Sequence, residues 1–319
     1  MRVSVVVPCY RSAAVLEEVA SQVDTALDAL VASGVVADWE LILVVDGSPD
    51  STAAVAAKIV SERPRVRSLE LRRNFGQHNA LVAGIRDAQF AVTVTLDDDL
   101  QHPPGEIGKL LAALEDPAVD LVYALPETEE HGAIRSGASR FVKGALALAG
   151  VSNARWVGAF RAFRTDLRDG FALVNDSQLN LDVLLSWSTA SVVPVTVTMD
   201  KRTEGRSSYS LPKLVAHAAN MVTGYGVLPL KLATWLGFVC GLLGIVLLVY
   251  VLVTYLVGET TVPGFTTTVA LISLFSGAQM ITIGIIGEYL GRQHFRSMQK
   301  PTYLVAHRRV NESVSGGSE

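Results

Sequence analysis

Cysteine is nearly missing from this chain: Cys9 and Cys240 are the two present in 319 residues. One closes a β-patterned segment and the other lies inside a long apolar run, so they cannot meet. A disulfide framework is therefore excluded, and a reducing compartment fits. Charge is also scarce, at 18% of residues, and has no basic excess: 27 Lys and Arg face 31 Asp and Glu, for a net charge of −4. Nucleic-acid binders normally show a basic excess, so no nucleic-acid partner is expected. The opening MRVSVVVP is too short and too β-like for a signal peptide. No internal repeat is present.

The shortage of charge is most concentrated late in the chain, where mean hydropathy, +0.35 overall, is highest. Residues 232–257 carry no charged side chain, and residues 265–287 are interrupted only by uncharged polar groups such as Gln279. Each run is long enough to cross a bilayer, and such length without charge favours two spans over two buried core helices. The connection GETTVPG (258–264) has no Lys or Arg. Lys213 and Lys231 flank the runs on one side, and Arg292, Arg296, Lys300, Arg308 and Arg309 on the other. The positive-inside rule then puts both termini in the cytoplasm of a multi-pass protein of the cell membrane. Gly237, Gly241 and Gly244 permit helix packing within or between chains, so a homo-oligomer stays open.

Residues 1–209 alternate strand and helix patterns. Strands are expected at 3–8, 39–46, 66–71, 90–96, 120–124, 158–164 and 192–197. Helices are expected at 13–33, 52–62, 77–87, 104–115, 134–149 and 178–186. Continuous Val, Ile and Leu runs between helices predict an α/β fold with a mainly parallel, Rossmann-like sheet covered on both faces. Residues 210–231 follow as an amphipathic juxtamembrane helix, with Leu211, Leu214, Val215, Ala218, Ala219 and Val222 on one face. The spans are 232–257 and 265–290, and 291–319 is a cytoplasmic tail whose end, past Arg309, reads as disordered.

Chemistry is concentrated in the run LDDDLQHPP (96–104). Three carboxylates close a β-patterned segment, at the strand end where open α/β sheets place their ligands. Such a cluster repels itself unless a cation sits there, and hard oxygen donors suit Mg²⁺ or Mn²⁺. The first strand ends in Pro8-Cys9-Tyr10 and the second in VDGSPD (45–50), both expected at the same sheet edge. Asp46 can accept hydrogen bonds from a nucleobase or ribose, and the Gly47 turn lets backbone approach a ligand. Alone, DGSPD is more often a turn with a helix cap.

PCY after the first strand, VVDGSPDST after the second, RRNFGQHNAL before a helix and LDDDLQHPP after a strand together resemble family 2 glycosyltransferases of the GT-A fold. The resemblance spans nearly the whole chain. RTEGRSSY (202–209), followed by two apolar runs, narrows it to polyprenyl-phosphate glycosyltransferases such as dolichol-phosphate mannose synthase and the bacterial undecaprenyl-phosphate glucosyl- and aminoarabinosyl-transferases. No QxxRW motif is present, which argues against the processive synthases.

The resemblance implies that Asp97 and Asp99 hold the divalent metal with Gln101, and that Pro8, Tyr10 and Asp46 meet the nucleotide-sugar donor. It implies that Arg202 and Ser207 close over the diphosphate, with Gly205 permitting close approach, and that Arg135 meets the acceptor phosphate. Arg140 and Lys143 are weaker cationic candidates. Asp98 is expected to be a solvated spacer, because adjacent strand residues point to opposite faces. His131 is expected in a loop rather than as a base. Several positions depart from the pattern: Val45 where relatives have Asp, Ala124-Leu125-Pro126 where Gly-x-Arg is common, Ser208 where Lys is common, and His102 where Asp is frequent.

The expected activity is inverting transfer of a sugar from a nucleotide-sugar to polyprenyl phosphate on the cytoplasmic face of the membrane. Direct transfer to a saccharide or lipid-linked acceptor is the enzymatic alternative. A non-catalytic nucleotide-sugar-binding scaffold is the alternative outside enzymes.

Overall fold

A computed structural model describes residues 1–127, 144, 147, 153–176, 179–199, 228–257, 264–298 and 300–311. By internal contacts the chain divides into two units. One comprises Met1–Ala147, Val151–Ser210 and Gln299–Glu319; the other comprises Leu148–Gly150 and Leu211–Met298.

In the first unit the valine-rich segment Arg2–Cys9 forms β1, followed by α1 (Leu16–Ala32), β2 (Asp38–Val45), α2 (Thr52–Glu62), β3 (Val66–Leu71), α3 (Gln77–Asp87) and β4 (Val92–Thr95). Pro104 starts a short turn of 3₁₀ helix that runs into α4 (Ile107–Ala113), as suits proline at a first turn. β5 (Leu121–Pro126), β6 (Arg161–Arg164), α5 (Leu181–Ser188) and β7 (Val192–Val197) complete the main run. Asn180 caps α5, its side chain accepting the N–H groups of Asp182 and Val183; that satisfies two donors with no partner inside the helix.

The sheet order is β7-β5-β6-β4-β1-β2-β3-β8. β1 pairs in parallel with β2 and β4, and β2 with β3. These strands are buried on both faces: Val3, Val5 and Val7 join one core cluster, while Val6, Ile42 and Val44 join the other. Two-sided burial explains their unbroken apolar patterns.

Among the described strands four of the seven pairings are parallel, as expected, but the sheet as a whole is mixed. β6 runs antiparallel between β4 and β5, and β8 (Val305–Arg309) runs antiparallel along β3. A strand pattern shows where the backbone extends and not in which direction it returns, so neither insertion was legible.

β8 also changes the reading of the C-terminal segment. Residues 305–309, expected in a tail, cover the otherwise open edge of β3, which removes a row of unpaired backbone groups. Arg72 donates its N–H to Leu304 O at 2.9 Å, Arg308 pairs with Asp87 at 2.7 Å, and Asn311 donates to Val60 O at 2.9 Å. Arg308 and Arg309, counted above as flanking charges of a span, belong to this sheet edge.

The second unit contains α6 (Leu228–Val257) and α7 (Phe265–Ser297). α6 includes a stretch, Pro229–Val246, long and apolar enough to cross a membrane. It is the one such stretch among the described residues, so two spans are not shown. α7 is diluted by its threonines, Gln279 and Glu288. Trp235, Phe238, Val239 and Tyr250 on α6 are all exposed. Most of the expected juxtamembrane helix at 210–231 lies outside the described residues.

Candidate active site

The C-terminal ends of β1, β2 and β4 open onto a cleft of about 390 Å³, lined by Pro8, Cys9 and Tyr10, by Asp46, by Asn74, Gly76 and Gln77, and by the three carboxylates Asp97, Asp98 and Asp99. Parallel pairing of β1 with both β2 and β4 is what brings residues 8, 46 and 97 to one edge.

Asp97 and Asp99 are half-buried on the cleft wall. Gln77 Nε2 donates to Asp97 Oδ1 at 2.7 Å, and the Gln101 backbone N–H donates to Asp99 Oδ1 at 3.1 Å. The second bond closes a tight turn in which Leu100 has φ +60°. Gln101, expected as a third metal ligand, does not line the cleft. His102 buttresses the turn from below. Its Nδ1 accepts the Asp97 N–H at 3.2 Å, its ring packs 5.6 Å from Phe160, and burial lowers its pKa. A neutral imidazole with its proton on Nε2 fits that acceptor role.

Asp98 is not a solvated spacer. Its Oδ2 accepts the Tyr10 N–H at 3.3 Å and the Ser12 hydroxyl, and burial pushes its carboxyl up to about 6. Strand alternation does not govern this residue, because β4 ends at Thr95 and the acidic run is a turn.

Asp46 lines the cleft, and both of its oxygens also accept bonds from the protein's own backbone. Oδ1 accepts Phe75 N–H at 2.7 Å and Oδ2 accepts Gly76 N–H at 2.8 Å. At 3% exposure, Asp46 thereby holds the entry to α3, which carries Gln77. Gly47 is needed for the same junction: it has φ +55°, and a Cβ there would run into the backbone of Arg73 and Asn74. The close approach expected for a ligand is made to this protein segment instead. Gly47→Ala should destabilise the unit by more than about 2 kcal/mol, combining left-handed strain with a backbone clash; denaturant unfolding measures it, and a change below about 0.5 kcal/mol would contradict the junction.

Val45 is buried in β2 opposite Cys9, so it is a core residue here. Cys9 donates to Val7 O at 3.3 Å, and burial raises its thiol pKa well above the ordinary value. Arg135, Arg140, Lys143, His131, Arg202, Gly205, Ser207 and Ser208 lie outside the described residues.

A second polar cluster escaped the sequence reading. Arg161 on β6 is 2% exposed and pairs through Nη1 with Asp182 of α5. Tyr123 of β5 donates its hydroxyl to the same carboxylate at 2.8 Å. Phe160, Ala162 and Phe163 around Arg161 gave it the look of an ordinary strand charge. Its only signal was the presence of two arginines, Arg161 and Arg164, in so apolar a strand.

Among the described residues no three His, Cys, Asp or Glu side chains form a closed metal cage. Mg²⁺ and Mn²⁺ are commonly held by one or two carboxylates, with substrate phosphates and water completing the shell. Asp97 and Asp99 present hard carboxylate oxygens on the wall of an open cleft, a donor type that fits such an ion.

Residues 4–166 match the family described as Glycosyl transferase family 2. The chain belongs to that family. It is a glycosyltransferase, and residues 228–293 also match the GtrB C-terminal hairpin. The enzyme is 30% identical over 308 residues to the undecaprenyl-phosphate 4-deoxy-4-formamido-L-arabinose transferase of Edwardsiella ictaluri (strain 93-146), covering 95% of this chain and 93% of that one. It is 31% identical over 310 residues to the transferase of the same name from Sodalis glossinidius (strain morsitans), again covering 95% and 93%. Glucosyl-3-phosphoglycerate synthase from Mycobacterium tuberculosis, solved with Mn²⁺, UDP and glucosyl-3-phosphoglycerate, matches with a TM-score of 0.50 and 19% identity over 70% of this glycosyltransferase and 77% of that chain. That likeness is one of fold, a GT-A-like mixed α/β sheet.

Proposed function

We propose that this glycosyltransferase moves a sugar from a nucleotide-sugar to undecaprenyl phosphate or a similar polyprenyl phosphate, at the cytoplasmic face of a membrane that α6 and α7 both span. The observation that carries the reading is the pairing of an acidic, open cleft at the strand ends with a helical unit whose apolar side chains are exposed. A soluble diphosphate donor bound through a divalent cation suits the first, and an isoprenoid the second. The names of the relatives point to the same pair of substrates.

In this reading Asp97 and Asp99 hold Mg²⁺ or Mn²⁺, with Gln101 as a nearby further donor. The ion supplies neutralisation of the departing nucleoside diphosphate. Pro8 and Tyr10 form a wall for the nucleoside. Gln77 orients Asp97, and Asp46 fixes the segment that carries Gln77. Arg202 and Ser207 bind the diphosphate, and Arg135 the acceptor phosphate, a task suited to a planar guanidinium. The acceptor oxygen is already ionised near neutral pH, so the enzyme's work is to hold two polyanions in line rather than to remove a proton. Residues 1–209 form the catalytic domain, with β8 completing its sheet.

Membranes containing the full-length enzyme, incubated with a panel of nucleotide-sugars and undecaprenyl phosphate, should yield one glycosylated lipid identifiable by mass. Product formed only on a saccharide would overturn the lipid acceptor. Binding of every donor without turnover would overturn catalysis. Arg135→Ala should raise the KM for the lipid phosphate by about tenfold or more, the loss of one charge-assisted contact, while donor binding persists. Loss of donor binding alone would contradict its role.

A further inference from the structure

One carboxylate joins two loops that lie far apart in sequence. Asp98 Oδ2 takes both the Tyr10 N–H, at 3.3 Å, and the Ser12 hydroxyl. The other donors of that loop turn the opposite way, toward the start of α2. Arg11 N–H reaches Ser48 Oγ at 2.8 Å and Ser12 N–H reaches Thr52 Oγ1 at 3.0 Å. Both hydroxyls are anchored on Asp50 Oδ1, at 2.6 Å each.

Between these two sets of bonds Arg11 has φ +58°, and Leu100, on the far side of the latch, has φ +60°. Neither is glycine, and such conformations persist only where the surroundings over-determine them. The loop carries Tyr10, 42% exposed, on the wall of the cleft that also holds Asp97 and Asp99.

We propose that Asp98 is a positioning residue: its carboxylate latches the loop of residues 10–12 so that Tyr10 stands as a fixed wall for the nucleoside of the donor. The acidic run then divides its labour. Asp97 and Asp99 serve the metal and diphosphate, and Asp98, on the same cleft, grips the loop of residues 10–12 and so sets the distance between metal and base. An exposed tyrosine ring is a useful stacking surface only when its backbone is held, because ordering it on binding subtracts from affinity. The inference rests on the nucleotide-sugar reading of the cleft.

The test uses full-length enzyme in detergent, with Mn²⁺ binding alone followed by electron paramagnetic resonance. UDP, GDP, CDP and ADP are then titrated in the presence of Mn²⁺. For Asp98→Ala, the tightest-binding of these nucleotides should weaken about tenfold, the loss of a two-bond latch, with Mn²⁺ affinity within about twofold. Asp98→Asn keeps an acceptor oxygen and should stay within about threefold of the unaltered enzyme. Ser12→Ala should weaken the nucleotide about threefold, and its effect should vanish in the Asp98→Ala background, since the two act through one contact.

Loss of Mn²⁺ affinity in Asp98→Asn would make the residue a metal ligand and overturn the latch. So would unchanged nucleotide affinity in Asp98→Ala, or effects of Ser12→Ala and Asp98→Ala that simply add. If Asp98→Ala does not fold, Ser12→Ala and Asp98→Asn decide the matter, and no weakening in Ser12→Ala overturns the proposal. If none of the four nucleotides binds the unaltered enzyme, the nucleotide reading itself fails and takes this inference with it.

Discussion

Asp99→Asn is expected to lower sugar transfer by about a thousandfold or more, with every nucleotide-sugar tested. Loss of a metal-holding carboxylate removes several kcal/mol of stabilisation from the departing diphosphate, and each 1.36 kcal/mol is about a factor of ten in rate. The substitution separates chemistry from folding. Asn retains an oxygen that can accept the Gln101 N–H now bound by Asp99 Oδ1, so the turn should survive and the unfolding midpoint should stay within about 2 °C. EDTA should reproduce the loss in the unaltered enzyme, and added Mn²⁺ or Mg²⁺ should reverse it. Full activity in Asp99→Asn, or undiminished activity in EDTA, would remove Asp99 from the metal site.

The largest effect on stability is expected at Arg161. Replacing it with Met leaves the Asp182 carboxylate buried with Tyr123 as a remaining donor, and breaking a buried pair from one side costs about 3–5 kcal/mol. Tyr123 stays a neutral single donor, because burial raises its pKa well above the ordinary value, and it cannot supply the lost positive charge. Replacing the partner as well, in Arg161→Met with Asp182→Leu, should recover most of the loss, since an apolar pair of similar volume avoids the unpaired charge. Chemical denaturation of both variants tests this. Equal losses in the single and double variants would show that Arg161 contributes by packing alone.

The strand and helix positions among the first unit's described residues were legible because their patterns are local; the expected helix at 134–149 lies almost wholly outside them. Unbroken Val, Ile and Leu runs require burial on both faces, and Pro104 and the 77–87 periodicity mark helices directly. The acidic run after β4 was legible as a site for the same reason: three adjacent carboxylates need an explanation wherever they fold.

Which partner each of those carboxylates takes was not legible. Asp98 was misread because strand alternation was carried past the end of β4 into a turn. Asp46 and Gly47 were read toward a ligand, whereas the structure aims them at Phe75, Gly76 and the backbone of residues 73–74. Gln77 and His102 stood in the quoted motifs without an assigned role, and only the folded chain shows their bonds to Asp97.

The chain's order of residues by itself determined that Asp97 and Asp99 stand at a strand end, that alternating elements build an α/β sheet, and that residues 232–257 are too apolar for an ordinary exposed helix. These follow from short-range pattern and composition. The tertiary structure alone decided that β6 and β8 run antiparallel, that Arg161 rather than Arg164 is the buried arginine, and that the acidic run grips the β1 loop through Asp98. Those outcomes depend on strand direction and register: shifting a strand by one residue turns every side chain to the other face, and no local pattern records the choice.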